Sequence, residues 1–444
     1  MGKEKKIYLI SLGCAKNIVD SENILGLLQQ KGFPIASSLE EAQIAIINTC
    51  GFIRPAVEEC IDTILELADM KLSGLLEHIV VAGCFVQRYG YKLRREMPEV
   101  DAWLGTGEIP MISEVIDGLG RKPPMFLINR PVFIADHDFP RVQTTPFYSA
   151  YLKIAEGCSH HCSFCTIPAL RGRFRSRDPE SLVIEAKGMA DRGVKEINLV
   201  AQDTTMYGRD LSPGTCLEDL LERLLEVKGL EWIRILYAHP SGVSEHLLDL
   251  IEDNERICPY LDIPMQHANK KILEAMGRGP YGEGPADLIK RIRSRKRTIS
   301  IRTSLMVGFP GETDDAFREL YDFVEMAGFE HMGTFIFSPE PGTRAARLKG
   351  MPDPEVSEKR FNAIMSLQKA ISLKKNTALI NKTVSVLIEG VSPETDLLLT
   401  GRTATMAPDV DGQVLINEGN GTVGKIMQVL IREAHPYDLI GRIV

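Results

Sequence analysis

The chain has 444 residues, 44% of them hydrophobic and 25% charged, and a formal net charge of −8 at pH 7. This composition describes a globular protein of two or three domains, and its negative charge argues against tight, non-specific adhesion to nucleic acid. No run approaches the roughly 20 apolar residues that span a membrane, and no secretory signal is visible. We therefore expect a cytoplasmic protein with no membrane partner. Nine cysteines, an odd number spread thinly, fit a reducing compartment better than a disulfide framework.

The first domain, residues 1–138, is predicted to form an open parallel α/β sheet. Apolar runs at 7–12, 42–47 and 79–82 are typical of buried strands, and helical periodicity lies between them. A helix from Ile18 to Lys31 is predicted to end at Gly32.

A cysteine follows each of these predicted strands. Cys14, Cys50 and Cys84 lie just past the carboxyl ends, where ligands gather in parallel sheets, and a glycine adjoins each one. The three thiols could therefore meet in space and bind a metal group. Cysteine is also a common buried residue, so three unconnected strand-end residues remain an alternative.

A polar, proline-punctuated segment at 136–147 predicts a linker, and the second domain spans 144–375. Its strand candidates alternate with helices and predict a partial (β/α)6 barrel. They lie at 151–155, 196–201, 232–238, 261–264, 299–307 and 331–337. Chemistry in such barrels lies at the carboxyl ends of the strands, where polar residues cluster here. Taken alone, His239 or His267 is more often a structural histidine, and the run Gly308-Phe-Pro-Gly311 lacks the lysine of a P-loop.

Three cysteines, Cys158, Cys162 and Cys165, lie within eight residues after the first barrel strand. The C-x3-C-x2-C spacing suits three irons of a cubane iron-sulfur cluster and leaves the fourth iron without a protein ligand. Zinc is the alternative, but no second cysteine pair lies downstream. The remaining thiols have no motif around them and are predicted to be ordinary buried cysteines: Cys60, Cys216 and Cys258.

Four arginines alternate just after this loop and form the densest basic stretch: Arg171, Arg173, Arg175 and Arg177. They are expected to face a polyanion or to form a solvated edge paired with nearby acids.

The third domain, residues 376–444, is predicted to be a small β-barrel of five short strands, at 383–389, 397–402, 413–416, 421–429 and 439–444. From 381 to 444 there are eight acidic and five basic residues, a net charge of −3. An RNA backbone would prefer the opposite sign, whereas a basic protein would be attracted. The alternative is that this net charge says nothing about which partner the domain binds. The fold class is therefore α/β, with an open parallel sheet, a partial barrel and a small β-barrel.

These motifs together resemble the methylthiotransferase family of radical S-adenosylmethionine enzymes. The triplet Cys158, Cys162 and Cys165, with Phe164 before the last cysteine, is similar to the radical S-adenosylmethionine signature. The three N-terminal cysteines are similar to the auxiliary-cluster domain of the methylthiotransferases, and the third domain is similar to a TRAM domain. The runs that begin at Ala201, Tyr260, Ser338 and Gly401 resemble the branch that modifies an aspartate of small-subunit ribosomal protein twelve. Ala15 stands where proline is as frequent in the family, which leaves the ligands untouched.

The resemblance implies two [4Fe-4S] clusters and S-adenosylmethionine as cofactors. The central triplet would hold the cluster whose open iron binds S-adenosylmethionine and generates a 5'-deoxyadenosyl radical. The N-terminal triplet would hold a second cluster that carries the sulfur to be methylated and transferred to the β-carbon of the aspartate. Contacts to the nucleoside or substrate are expected from Phe164, Gln202, Asp203, Gln266, His267, Arg302 and Gly308.

The implied partners are a basic small-subunit ribosomal protein as substrate, an external electron donor and a sulfur source. Three other functions remain open. One is the same chemistry on a tRNA adenosine, as in the relative MiaB. The others are a non-catalytic iron-sulfur electron carrier and a zinc-stabilised RNA-binding module.

Overall fold

The structure is a computed structural model that describes residues 5–120, 123–211, 214–279 and 284–444. It confirms the α/β fold class, with a parallel sheet, a second six-stranded sheet and a closed barrel in chain order. None of the helices in these ranges is long and apolar enough to cross a membrane.

The N-terminal sheet has five parallel strands in sequential order, with helices between them. The strands are β1 (Ile7–Ser11), β2 (Ile44–Thr49), β3 (His78–Gly83), β4 (Ala102–Leu104) and β5 (Met125–Leu127). The helices are α1 (Ala15–Gln30), α2 (Arg54–Leu72), α3 (Cys84–Tyr89), α4 (Leu93–Glu96) and α5 (Ile112–Asp117). Every residue of β2 is buried, as expected for a parallel strand covered on both faces. The sequence predicts only the first three strands, because β4 and β5 are three residues each.

The central sheet has six parallel strands in the order β13-β12-β11-β10-β9-β6. They are β6 (Ser149–Lys153), β9 (Glu196–Val200), β10 (Trp232–Ile235), β11 (Ile257–Asp262), β12 (Ser300–Val307) and β13 (His331–Ile336). No pairing joins β6 to β13 within the described residues, so the predicted partial barrel is open along one side. The strand β11 begins four residues before its predicted start, since Pro259, which has no N–H to donate, lies inside it.

Helices cover the outside of this sheet, and a short β-ribbon carries the cysteine loop. The helices are α6 (Ile167–Arg171), α7 (Pro179–Asp191), α8 (Leu217–Leu225), α9 (Glu245–Asp253), α10 (Lys270–Ala275), α11 (Pro285–Arg293), α12 (Asp314–Ala327) and α13 (Pro354–Thr377). The ribbon pairs β7 (Ala155–Glu156) with β8 (Arg175–Ser176). One continuous apolar core lies between the helices and the sheet.

The C-terminal barrel closes in the order β14-β15-β16-β18-β17, with the five strands that the sequence predicts. They are β14 (Thr383–Ser392), β15 (Thr395–Thr403), β16 (Val414–Glu418), β17 (Ile426–Ala434) and β18 (Leu439–Ile443).

The barrel packs against the amino-terminal ends of the central strands. Glu196, the first residue of β9, forms ion pairs of 2.7 Å with Arg402 of the barrel and 2.8 Å with Arg234 of β10. Asp411 lies 2.6 Å from Arg302 and accepts a hydrogen bond from Tyr260. The opposite, carboxyl-terminal ends of the strands are thereby left for a site.

The segment that joins the first two domains is packed rather than free. Arg141 lies 2.6 Å from Glu22 of α1 and 2.6 Å from Glu185 of α7. A Cβ on Gly26 of α1 would lie 2.4 Å from the backbone of Arg141, so the linker and helix are in direct contact. This contact fixes α1 against the central domain.

Candidate functional site

The three N-terminal cysteines lie at one edge of the first sheet, as the parallel topology predicts. Cys14 precedes α1, Cys50 follows β2, and Cys84 begins α3. Glycines permit their approach: a Cβ on Gly13 would lie 2.9 Å from the Cys50 Cβ, and a Cβ on Gly51 would lie 2.7 Å from the Cys84 carbonyl oxygen. The three residues are therefore brought together and are not unconnected strand ends.

The central triplet lies in the loop between β7 and α6. The Cys158 N–H donates to the Gly172 carbonyl at 3.1 Å, and the Cys165 N–H donates to the Cys162 carbonyl at 3.2 Å. Gly157 has φ +74°, a conformation that glycine adopts without strain, and a Cβ there would lie 2.3 Å from a backbone oxygen. The loop is thus closed by its own backbone, with the thiols free of disulfides.

Both triplets line one cavity of about 330 Å³ between the N-terminal sheet and the carboxyl-terminal ends of the central strands. Its wall contains the six cysteines Cys14, Cys50, Cys84, Cys158, Cys162 and Cys165. Each triplet alone offers three sulfur ligands, which suits a cluster with one iron left open.

The expected contact residues divide into two groups. Phe164, Gln202, Asp203 and Gln266 line the cavity. The structure does not bring His267, Arg302 or Gly308 to its wall. His267 is fully buried, 3.6 Å from Glu312, and Glu312 also accepts a hydrogen bond from the Gly308 N–H. Arg302 lies at the far end of its strand, paired with Asp411 of the barrel.

A buried ionic cluster supports the wall between the triplets. Arg171 lies 2.6 Å from Asp20 of α1, and Lys153 contacts both Asp20 and Glu156. All four side chains are less than 10% exposed. Two cations thus balance two carboxylates across the junction of the first two domains.

The four-arginine stretch is not one uniform basic patch. Arg171 belongs to the ionic cluster, and Arg177 is buried 2.6 Å from Glu185. Arg173 is exposed, while Arg175 donates to the carbonyl of Arg173 at 2.6 Å. Arg171 ends helix α6 and therefore does not share one extended face with the others, and only Arg173 and Arg175 remain accessible to solvent.

Nearby positive charge gives the Cys14 thiol a lower pKa than the thiols of Cys84 and Cys165. Burial disfavours its thiolate, but Lys16 and Arg171 outweigh that effect and lower the pKa of Cys14. Burial raises the pKa of Cys84 to about 11 and that of Cys165 to about 12. These values describe the protein without bound metal, where burial is the largest influence on each thiol.

A polar cluster stands beside the central triplet. His160 Nε2 lies 2.6 Å from Asp203 Oδ2, and the ring of His160 stacks on that of His239 with centroids 4.0 Å apart. Burial disfavours the Asp203 carboxylate, but hydrogen bonds from His160 and Thr205 outweigh it and lower the pKa of Asp203. Burial lowers the pKa of His239 to about 3, which leaves its imidazole neutral. One side-chain nitrogen or oxygen atom from each of His160, Asp203 and His239 lies within 4.8 Å of the other two, so the three side chains can contact the same polar group of a ligand.

Two strained residues lie at the carboxyl ends of neighbouring strands. Tyr237 has φ 59° and Gln266 has φ 69°, values that residues other than glycine rarely adopt. Both line the cavity. Such strain persists where surrounding structure enforces it, and it is concentrated at functional sites.

Several cavity residues were not singled out from the sequence: Lys16, Asn17, His160, Tyr237 and Arg278. Arg278 follows α10 and donates to the Pro264 carbonyl at 2.8 Å, with its other nitrogen 3.9 Å from Cys162 Sγ. Lys16 and Asn17 could have been found from the sequence because they closely follow Cys14, and His160 because it lies inside the cysteine loop. Tyr237 belongs to the polar residues at the carboxyl end of the predicted strand at 232–238, whereas nothing local distinguishes Arg278.

The other cysteines lie outside the cavity wall. Cys60 and Cys258 are buried, as predicted. Cys216 is only partly buried and caps the amino terminus of α8, where its sulfur lies 3.0 Å from Asp219.

Three family models match consecutive parts of the chain. They are uncharacterized protein family UPF0004 at residues 6–105, the Radical SAM superfamily at 152–324 and the TRAM domain at 380–444. Among solved structures, the fold is similar to the radical S-adenosylmethionine methyltransferase TsrM from Kitasatospora setae. That match has a TM-score of 0.56 at 16% identity and covers 77% of each chain. The fold and the cysteine loop thus define a radical S-adenosylmethionine protein.

Curated relatives refine this class. The chain is 46% identical over 442 residues to the ribosomal protein uS12 methylthiotransferase RimO of Geotalea uraniireducens, covering 99% of both chains. It is 44% identical over 440 residues to RimO of Myxococcus xanthus, covering 99% of this chain and 92% of that protein. The chain belongs to the RimO family.

Proposed function

We propose that the protein is a radical S-adenosylmethionine methylthiotransferase, which adds a methylthio group to the β-carbon of an aspartate in ribosomal protein uS12. The observation that carries this proposal is the single cavity lined by both cysteine triplets. A radical generated at one metal group and a sulfur carried by the other would have to reach the same substrate carbon, so both groups must face one substrate. Full-length similarity to RimO proteins supports the choice of substrate over a tRNA adenosine.

We propose two [4Fe-4S] clusters, one on Cys14, Cys50 and Cys84 and one on Cys158, Cys162 and Cys165. Three sulfur donors in each set fit a cluster with one open iron. With S-adenosylmethionine bound, these groups supply radical hydrogen abstraction and a transferable sulfur, chemistry that ordinary side chains cannot supply at neutral pH.

The protein residues hold and shield these groups. We propose that Phe164, Gln202, Asp203 and Gln266 contact the nucleoside or substrate, because their side chains share the cavity wall with both triplets. For His267 and Gly308 we propose a supporting role next to Gln266, since the Gly308 N–H donates to Glu312 and His267, the residue after Gln266, lies 3.6 Å from the same carboxylate. For Arg302 we propose a role in seating the barrel through Asp411.

The proposed partners are a basic ribosomal protein, an external electron donor and a sulfur source, in the cytoplasm. On the barrel, Arg402 and Asp411 are occupied by internal ion pairs. Its exposed acidic residues, Glu394, Asp396, Asp409, Glu418 and Glu433, outnumber the exposed basic ones, Lys382, Lys425 and Arg432. This surface favours a basic protein over a nucleic acid.

We propose domain limits of 1–138, 144–375 and 376–444. The three family matches, which fall one within each range, support this division. Helix α13 ends at Thr377 and the first barrel strand starts at Thr383, close to the last boundary.

Incubation of the reduced, cluster-loaded protein with uS12 and S-adenosylmethionine tests the function. We expect uS12 to gain the mass of one methylthio group, located on an aspartate by fragmentation. A parallel incubation with tRNA is expected to give no product. Modification of tRNA alone would contradict the proposal, as would a cluster-bearing protein that never consumes S-adenosylmethionine.

The contact between Gly51 and Cys84 yields a separate prediction. Gly51→Ala places a Cβ 2.7 Å from the Cys84 carbonyl oxygen and 2.8 Å from its carbonyl carbon, so the N-terminal thiols must separate. We expect the variant to lose about half of its iron, the share of one of two clusters. Iron and sulfide quantification after anaerobic purification measures the loss.

Gly188→Ala in helix α7 is the matched control. Its Cβ would meet only the end of a flexible arginine, at 3.5 Å, so full iron content is expected. Full iron in Gly51→Ala would show that the N-terminal thiols do not hold a cluster in this arrangement.

A further inference from the structure

Lys16 places a buried cation in the cavity. It is the second residue of α1, two positions after Cys14, and its side chain is only 5% exposed. The ammonium nitrogen lies 3.2 Å from the centroid of the Tyr237 ring. Lys16 therefore reaches from the N-terminal domain to the rim of the central barrel, in the cavity that both triplets line.

No carboxylate lies within 4.0 Å of this ammonium among the described residues, unlike the neighbouring charged groups. Arg171 and Lys153 are paired with Asp20 and Glu156. Asp203 is paired with His160. The carboxylates around Lys16 thus pair with other cations, and Lys16 is left without a carboxylate partner among the described residues.

Asp262 is the remaining nearby acid, and it does not serve as a partner. Its carboxylate accepts a hydrogen bond from the Tyr237 N–H at 3.2 Å. Burial raises the pKa of Asp262 to about 6 despite the surrounding cations.

We propose that the Lys16 ammonium binds the side-chain carboxylate of the aspartate that is modified, an inference that rests on the proposed function. A buried cation is costly without a counter-charge, and a substrate carboxylate supplies one. The β-carbon is bonded to that carboxylate carbon, so a charged hydrogen bond of normal length holds the β-carbon about 4 Å from the ammonium. Lys16 thereby positions the reacting carbon between the two triplets.

This contact makes Lys16 a determinant of substrate choice. An asparagine carbonyl can still accept a hydrogen bond from the ammonium, but neither asparagine nor a neutral nucleobase supplies the negative charge. Sites built around a polar group reject analogues that lack it, because their own buried groups lose a partner.

The test compares wild type, Lys16→Met and Lys16→Arg in cluster-loaded form. Methionine has similar length and packs on the Tyr237 ring, whereas arginine keeps the charge. Each is assayed with uS12 and with uS12 that carries asparagine at the modified position. Binding to the oxidised enzyme, which cannot turn over, gives a second readout.

We expect wild type to prefer aspartate over asparagine by at least about 100-fold in kcat/KM. Lys16→Met is expected to lose that preference, with weaker binding of the aspartate substrate alone and unchanged iron and sulfide. Lys16→Arg is expected to restore most of the preference. If Lys16→Met lost the same fraction of kcat/KM on both substrates, or lost iron, the role of Lys16 would be overturned. The proposed function would still hold as long as wild type modified uS12. Failure of wild type to modify uS12 would instead overturn the proposed function and this role with it.

Discussion

Cys14→Ala and Cys158→Ala are each expected to lose about half of the iron and sulfide, with different effects on reactivity. Cys158→Ala should abolish cleavage of S-adenosylmethionine, because its triplet lies beside the polar cluster of His160 and Asp203. Cys14→Ala should retain cleavage and lose methylthio transfer, since the cluster that we propose on the N-terminal triplet would carry the sulfur. Iron and sulfide analysis, together with 5'-deoxyadenosine and uS12 mass measurements, separates the two outcomes.

Cys216→Ser is the matched control for these variants. The residue caps helix α8 away from the cavity, and serine is a favoured residue at that position. We expect full iron and full activity. If Cys14→Ala and Cys158→Ala lost the same activities and all of the iron, two independent clusters would be ruled out.

Glu196→Gln is expected to lower the free energy of unfolding by about 3 kcal/mol or more at pH 7. Glu196 and Arg234 are fully buried, and Arg402 of the barrel is 3% exposed. The substitution removes the one carboxylate that both guanidinium groups contact and leaves two buried cations undercompensated. Urea unfolding followed by tryptophan fluorescence measures this loss of stability. In a Trp103→Phe background, Trp232 is the one remaining tryptophan, and it packs against the barrel.

The loss should depend on pH. Burial disfavours the Glu196 carboxylate, but Arg402 and Arg234 outweigh it and hold its pKa well below the usual 4.5. A depressed pKa stabilises the folded protein above the unfolded-state value and loses that effect as pH falls through the folded value. The difference between wild type and Glu196→Gln should therefore shrink below about pH 4.5.

The exposed pair between Arg442 and Glu418 in the same barrel is the control. Its side chains are 35% and 68% exposed, so Glu418→Gln should change stability by less than about 1 kcal/mol. Equal effects of the two substitutions would show that burial is not what makes the Glu196 cluster important.

Most strands of the fold follow from hydrophobic pattern, with particular exceptions. All six central strands and all five barrel strands were predicted in order. Strands β4 and β5 were missed since three residues carry too little periodicity. The start of β11 was missed because Pro259 normally argues against a strand interior.

The residues of the site also fall into those that local sequence predicts and those that it does not. The six cysteines could be selected because a ligand loop and strand-end positions are local features of the chain. Lys16 and Tyr237 could not be paired, because their contact joins different domains. Arg302 was expected from the family resemblance to contact the nucleoside or substrate, yet it lies near the amino end of β12 and pairs with Asp411.

The sequence by itself determined which atoms can bind metal, because thiol spacing within a loop and after a strand depends on local backbone geometry. Only the tertiary structure decided that the two triplets share one cavity and that a buried ammonium without a carboxylate partner lines the same cavity. Those relations depend on α1 packing against the central domain through Asp20, Glu22 and their buried partners. Such contacts join residues more than 100 positions apart, and no local pattern encodes them.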